Sequence, residues 1–260
     1  MQHLKTFGEA VDKYIRPRTP PVALKLLRSD TAIPKSSQRP NEDLGHRVAL
    51  CQGFAFARRN GMTLAMLKED MYCPLGIIVL GLAEPHPFWL EGNTNLKRYA
   101  GTPEAAARVA QETPRFKTGE YAGVVTAPLP SADFDADIVL TYCNPAQAMR
   151  FTQAAVYKEG RNLEALLLSA AACAVGIVHT MQTGKCQLVM PCLGDRRYGL
   201  TPDDELAFAI PASRLDEIAT GLEKTHNAGI ALPVRAALSW EAPMVGPYLE
   251  LAKLLGIVKD

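Results

Sequence analysis

An α+β fold made of two related halves with a cleft between them is what this chain of 260 residues predicts, on three observations. First, residues 64–81, LAMLKEDMYCPLGIIVLG, return one hundred positions later as residues 164–181, EALLLSAAACAVGIVHTM. The ungapped match pairs Ala65 with Ala165, Leu67 with Leu167, Cys73 with Cys173, Gly76 with Gly176 and Ile77 with Ile177. Second, segments with helical spacing of apolar residues are interleaved with short apolar runs of strand length. Third, the chain is long enough to bury a large core, as one large domain or two of ordinary size. The repeat divides the chain into halves 1–130 and 131–260, interlocked in one compact body.

The elements follow in order. Leu4, Phe7, Val11, Tyr14 and Ile15 recur at near-helical spacing, which predicts an amphipathic helix over 3–15 that Arg16-Pro17 stops. Residues 22–27 form an apolar strand. Residues 28–47 turn polar around Pro34, Ser36, Ser37 and Pro40, a long loop of the kind that is mobile or functional. A helix from Cys51 carries Phe54, Ala55 and Arg58 and ends at Asn60-Gly61. The first copy then reads as a short strand, a turn, and a cysteine opening an apolar helix. Within the loop-like residues 83–95, Trp89 either lines a pocket or tucks an apolar loop onto the core. Thr102-Pro103 pairs an N-cap with proline at the first helical position and opens a helix through Gln111. Strands at 122–127 and 137–142 flank a turn-rich connector.

The second half predicts a helix at 145–159, a strand at 163–168, a helix at 170–181 and strands at 187–190 and 206–210. Residues 213–216 resemble a capping box, and Leu215, Ile218, Ala219 and Leu222 line one face of the helix it opens. After a Gly- and Pro-punctuated stretch, Pro247 opens a last apolar helix to Gly256.

Charge and composition exclude several classes. With 28 basic and 27 acidic residues the formal charge is +1, and no long basic run offers a footprint for nucleic acid. No apolar run approaches the twenty residues of a membrane span, and the first residues lack a signal peptide, which predicts a cytoplasmic protein. Six cysteines in that setting read as thiols, metal ligands or core residues rather than as disulfides. A homo-oligomer is left open.

Chemistry centres on the cysteines and one charged turn. Cys73 precedes Pro74, a helix-start signal, and a thiol at a helix N-terminus is shifted toward the nucleophilic and metal-binding thiolate. Packing as a small hydrophobe explains the same residue. Cys186 and Cys192 are too far apart in an extended chain to share a metal, and no C-x2-C spacing is present, yet a site drawn from Cys51, Cys73, Cys186 and Cys192 stays open. In the turn at residues 194–199, Asp195, Arg196 and Arg197 can bind an anion bidentately or form a plain surface ion pair. Thr201-Pro202-Asp203-Asp204-Glu205 reads as an N-cap and acidic first turn rather than as a metal cluster. His46, His86 and His179 are scattered, and Cys143, ending a strand, reads as structural. No Gly-rich phosphate loop, nucleophile elbow or dinucleotide fingerprint occurs.

Taken together, CQGFAFARRNG (51–61), the Cys73-Pro74-Leu75-Gly76 helix start, NPAQAMRF (144–151) and KCQLVMPCLGDRRYG followed by DDELAFAIP resemble the domain of unknown function 169 family of bacterial and archaeal proteins, over about residues 20 to 225. The resemblance implies that Cys51, Cys73, Cys186, Cys192 and the turn at 194–197 belong to a recurring pattern, and it carries no activity with it. Three functions are therefore expected in turn: a metal or iron–sulfur cluster on the cysteines, with Arg196 and Arg197 on an anionic ligand; a metal-free module for a small anionic molecule; and an enzyme using Cys73 as nucleophile.

Overall fold

The computed structural model describes residues 1–233 and 246–258. Helix α1 (Gln2–Tyr14) leads into β1 (Val22–Leu27), and the short α2 (Pro40–Asp43) is followed by α3 (Leu50–Asn60), β2 (Leu64–Leu67), α4 (Pro74–Val79), α5 (Pro87–Leu90) and α6 (Pro103–Glu112). Next come β3 (Gly123–Pro128), β4 (Ile138–Cys143) and α7 (Pro145–Val156), then a π-helix (Ala174–His179) running into α8 (Thr180–Thr183). The chain continues through β5 (Gln187–Val189), α9 (Leu193–Arg197), β6 (Leu206–Pro211), α10 (Leu215–Asn227) and α11 (Gly246–Leu254). The punctuated stretch after α10 lies largely outside the described residues.

The six strands form one sheet in the order β2-β3-β1-β4-β6-β5, and every neighbouring pair is antiparallel. The α+β class is therefore that of an antiparallel sheet with helices on both faces. Strand alternation sorts the core in two. Val22, Leu24, Met66, Val124, Leu140 and Tyr142 pack with Leu50, Phe54, Val79 and Ile177 on the face covered by α3, α4 and the π-helix. Ala23, Leu27, Val125, Val139, Phe208 and Ile210 pack with Phe7, Val11, Phe151, Ile218 and Leu222 on the face covered by α1, α7 and α10. There Phe151 stacks on Phe208 at 5.2 Å.

Three expectations change. Residues 163–168 are not a strand: Leu163, Glu164 and Leu167 remain partly or fully exposed, and nothing in the sheet pairs with them. The expected repeat thus fails at its strand, and its two preceding helices, α3 and α7, lie on opposite faces of the sheet. Residues 201–205 form no helix; Glu205 is buried against Arg58 instead. The polar run 28–47 is tied down rather than loose. Gln38 bridges to Leu64, and Arg39 Nε donates to the fully buried Asp70 at 2.6 Å, which also accepts the Asn41 and Leu67 amides.

Candidate functional site

A cavity of about 830 Å³ lies on the α3 side of the sheet. Its floor is Leu140, Tyr142, Val189 and Ala207 from β4, β5 and β6, and its walls include Leu50, Phe54, Leu75, Ile177 and Trp89. These walls are apolar because they continue the core of that face, where Gly76 and Gly176 let two helical segments pack close to Leu50 and to Leu140 and Val189. The size is that of a site for a drug-sized molecule.

Four thiols open onto this space: Cys51, Cys73, Cys173 and Cys192. Each stands at the start of a helical segment. Cys51 is in the first turn of α3, and Cys73, Cys173 and Cys192 directly precede α4, the π-helix and α9. Burial pushes the Cys51 thiol up, and the neighbouring Asp195, Cys192 and Cys73 add to the effect; its Sγ–H donates to the Gly194 carbonyl at 3.4 Å. Cys173 is pushed well up by burial first and by Cys192, Cys73 and Cys51 after it. It is half-buried because the cavity admits solvent, yet it lies deep beneath the protein surface. Both are held as neutral thiols at ordinary pH.

Cys186 belongs elsewhere, which corrects the expected set. It is 1% exposed on the opposite face, beside Phe208 and Leu215, with Arg214 Nη1 at 3.7 Å. Burial pushes it up to about 11, with Arg214 acting against the shift. The physical reason is strand parity. Cys186, directly before β5, and Leu188 within it take one face of the sheet, and Val189 takes the other. Sequence spacing missed Cys173, whose place Cys186 had been given; the match of Cys173 to Cys73 was the available signal. Cys143 is buried on the same far face as Cys186, and burial pushes it up to about 12.

Beside the thiols sits a polar network that the motifs did not reveal. Tyr142 Oη donates to Asp195 Oδ1 at 3.0 Å and Oδ2 at 3.2 Å, and Thr201 Oγ1 donates to Asp195 Oδ1 at 3.2 Å. The Arg58 guanidinium lies 3.8 Å from the Tyr142 ring centre, donates to Glu205 Oε2 at 2.9 Å and reaches Thr201 Oγ1 at 3.3 Å. Burial raises Asp195 above the usual carboxylate range, against the hydrogen bonds of Tyr142 and Thr201 and the charges of Arg58 and Arg196. Burial likewise raises Tyr142. Gly199 lets the chain pass close to this acid: a Cβ there would stand 2.6 Å from the Asp195 carbonyl oxygen and nearer still to its Oδ1.

The arginine turn separates on inspection. Arg196 points away, donating to the Pro202 carbonyl at 2.5 Å and standing 4.0 Å from Asp203. Arg197 is exposed, lines the cavity and lies 5.9 Å from the Tyr198 ring. Arg98, which sequence reasoning passed over, is exposed on the same lining. Among the described residues neither Arg98 nor Arg197 has a carboxylate partner.

Two chemistries meet resistance in this geometry. Among the described residues no three His, Cys, Asp or Glu side chains converge as a metal-holding group, so the expected cysteine ligands do not fit a metal or cluster as they stand. Cys73 shares the cavity with His86, but His86 Nδ1 accepts the Phe88 amide at 3.1 Å, which occupies the ring nitrogen that could serve as a base and places the proton of the neutral ring on Nε2.

No helix among the described residues is long and apolar enough to cross a membrane. No solved structure matches the chain. An uncharacterized protein of Methanocaldococcus jannaschii, MJ0308, is 27% identical over 209 residues, covering 78% of this chain and 87% of the relative. The family model for DUF169, described as uncharacterised ArCR, matches residues 10–221, a span that takes in every residue of the cavity and its polar network. The chain belongs to the domain of unknown function 169 family.

Proposed function

We propose that the protein binds a small molecule with an apolar body and an anionic group. The observation that carries this reading is the cavity of about 830 Å³, walled by Leu50, Phe54, Leu140, Ile177 and Trp89, with Arg98 and Arg197 exposed on its lining and without a carboxylate partner among the described residues. Apolar walls supply affinity through burial, and the two guanidinium groups select a carboxylate or phosphate at the mouth.

Calorimetric titration with dodecanoate and with 1-dodecanol tests it. An exposed charge pair is worth up to about 1 kcal/mol, so replacing both arginines by alanine weakens dodecanoate by up to roughly 30-fold and leaves dodecanol unchanged. Absence of dodecanoate binding by the wild-type protein refutes the reading. Iron and acid-labile sulfide in stoichiometric amounts, in protein purified without oxygen, would instead favour a cluster on the four cavity thiols.

A further inference from the structure

We infer that Asp195 recognises a protonated amine at the buried wall of the cavity, so that the ligand is a zwitterion, its cation at Asp195 and its anion at the exposed arginines. The inference rests on the small-molecule reading above and names the class of that molecule.

Asp195 is 5% exposed and forms part of the cavity wall. An ionised carboxyl has about four acceptor positions. Oδ1 takes the Tyr142 and Thr201 hydroxyls, whereas Oδ2 takes only the shared Tyr142 hydroxyl, at 3.2 Å. One position on Oδ2 is thus left without a donor. The surrounding charges leave Asp195 without a counter-ion as well. Arg58, behind Tyr142, is matched to Glu205, both being almost fully buried. Arg196, on the same helix, is directed to the Pro202 carbonyl and Asp203. The neighbouring Cys51 and Cys173 are held un-ionised by burial and bring no positive charge. A buried carboxylate with one acceptor position unfilled and no ion-pair partner is stabilised most by a group that supplies a donor and a positive charge together, and an ammonium does so.

The experiment is calorimetric titration of the whole protein at neutral pH with dodecanoate, dodecylamine and 12-aminododecanoate, and of an Asp195→Asn variant with the same three probes. A charge-assisted hydrogen bond of this kind makes the aminocarboxylate bind roughly 10- to 100-fold more tightly than dodecanoate. In Asp195→Asn that preference disappears, and dodecanoate and the aminocarboxylate bind with equal affinity. If Asp195→Asn does not fold, Tyr142→Phe serves in its place: it keeps the carboxylate, frees a further acceptor position and retains the preference for the amine. Equal binding of dodecanoate and 12-aminododecanoate by the wild type overturns the zwitterion and leaves the anion-binding cavity standing. So does an amine preference that survives in Asp195→Asn or is lost in Tyr142→Phe. Failure of all three probes to bind overturns the cavity reading and this inference with it.

Discussion

Replacing Arg58 by methionine tests whether the polar network beneath the cavity is a set of matched charges. The Arg58 and Glu205 side chains are 1% and 3% exposed and meet at 2.9 Å. Methionine keeps much of the length of the arginine stem but leaves Glu205 buried with no counter-charge, and removes a donor from Thr201 and the cation over Tyr142. Breaking one side of a buried pair costs about 3–5 kcal/mol, whereas exchanging both partners for apolar residues is often close to neutral. For a chain of this size that loss lowers the thermal midpoint by about 6–20 °C. Urea unfolding followed by far-ultraviolet circular dichroism gives the free energies. Arg58→Met and Glu205→Leu are each expected to lose several kcal/mol, and the double variant to recover most of it. A double variant as unstable as the sum of the two singles would show that the residues act independently and would refute the matched-pair reasoning.

Two further outcomes follow from the shifted groups. Because burial raises Asp195, the folded protein holds a proton there, between the ordinary aspartate value and the raised one, that the unfolded chain releases, so this residue's contribution to stability is present below the ordinary value and falls as pH rises through the raised one. The stability advantage of wild type over Asp195→Asn should therefore shrink as urea midpoints are measured upward from about pH 4; an advantage that grows would reverse the assignment. For the thiols, iodoacetamide at neutral pH should label the buried Cys143 and Cys186 last, with Cys51 and Cys173 also slow, because burial pushes all four toward the neutral form. Peptide mapping of early time points checks this, and rapid modification of Cys51 would contradict it.

Much of the architecture is legible in the sequence wherever one residue type settles the matter locally. Val22–Leu27, Gly123–Pro128 and Ile138–Cys143 are buried almost throughout, with Lys25 half-buried, and their predominantly apolar character marks them as strands. Asn144 and Pro145 announce α7 with a capping box and proline in the first turn. The failure at 163–168 has the opposite cause: LEALLL is a short apolar run of strand length without β-branched residues, and a strand is completed by neighbours far away in the chain, none of which pairs with it among the described residues. For the site, the four thiols depend on which face of the sheet each segment takes. Parity along β5 and the residue before it separates Cys186 from Val189, but only after the strand's bounds are known. Tyr142 and Asp195 are 53 positions apart, and Arg58 and Glu205 are 147 apart, so no local motif announces either pair. Arg98 lies in an irregular segment whose path along the cavity is set by α5 and α6 rather than by its own sequence.

The position of β1 bears on how the molecule is made. Residues Val22–Leu27 leave the ribosome before any other strand, yet in the sheet they lie between β3 and β4, pairing Val22 with Pro128 on one side and Leu140 on the other. At synthesis rates of about 5–20 residues per second, this apolar segment waits on the order of 10 s for its partners. Throughout that interval it is an unpaired, aggregation-prone strand, and the nascent chain has reason to be held by a chaperone until Cys143 has emerged.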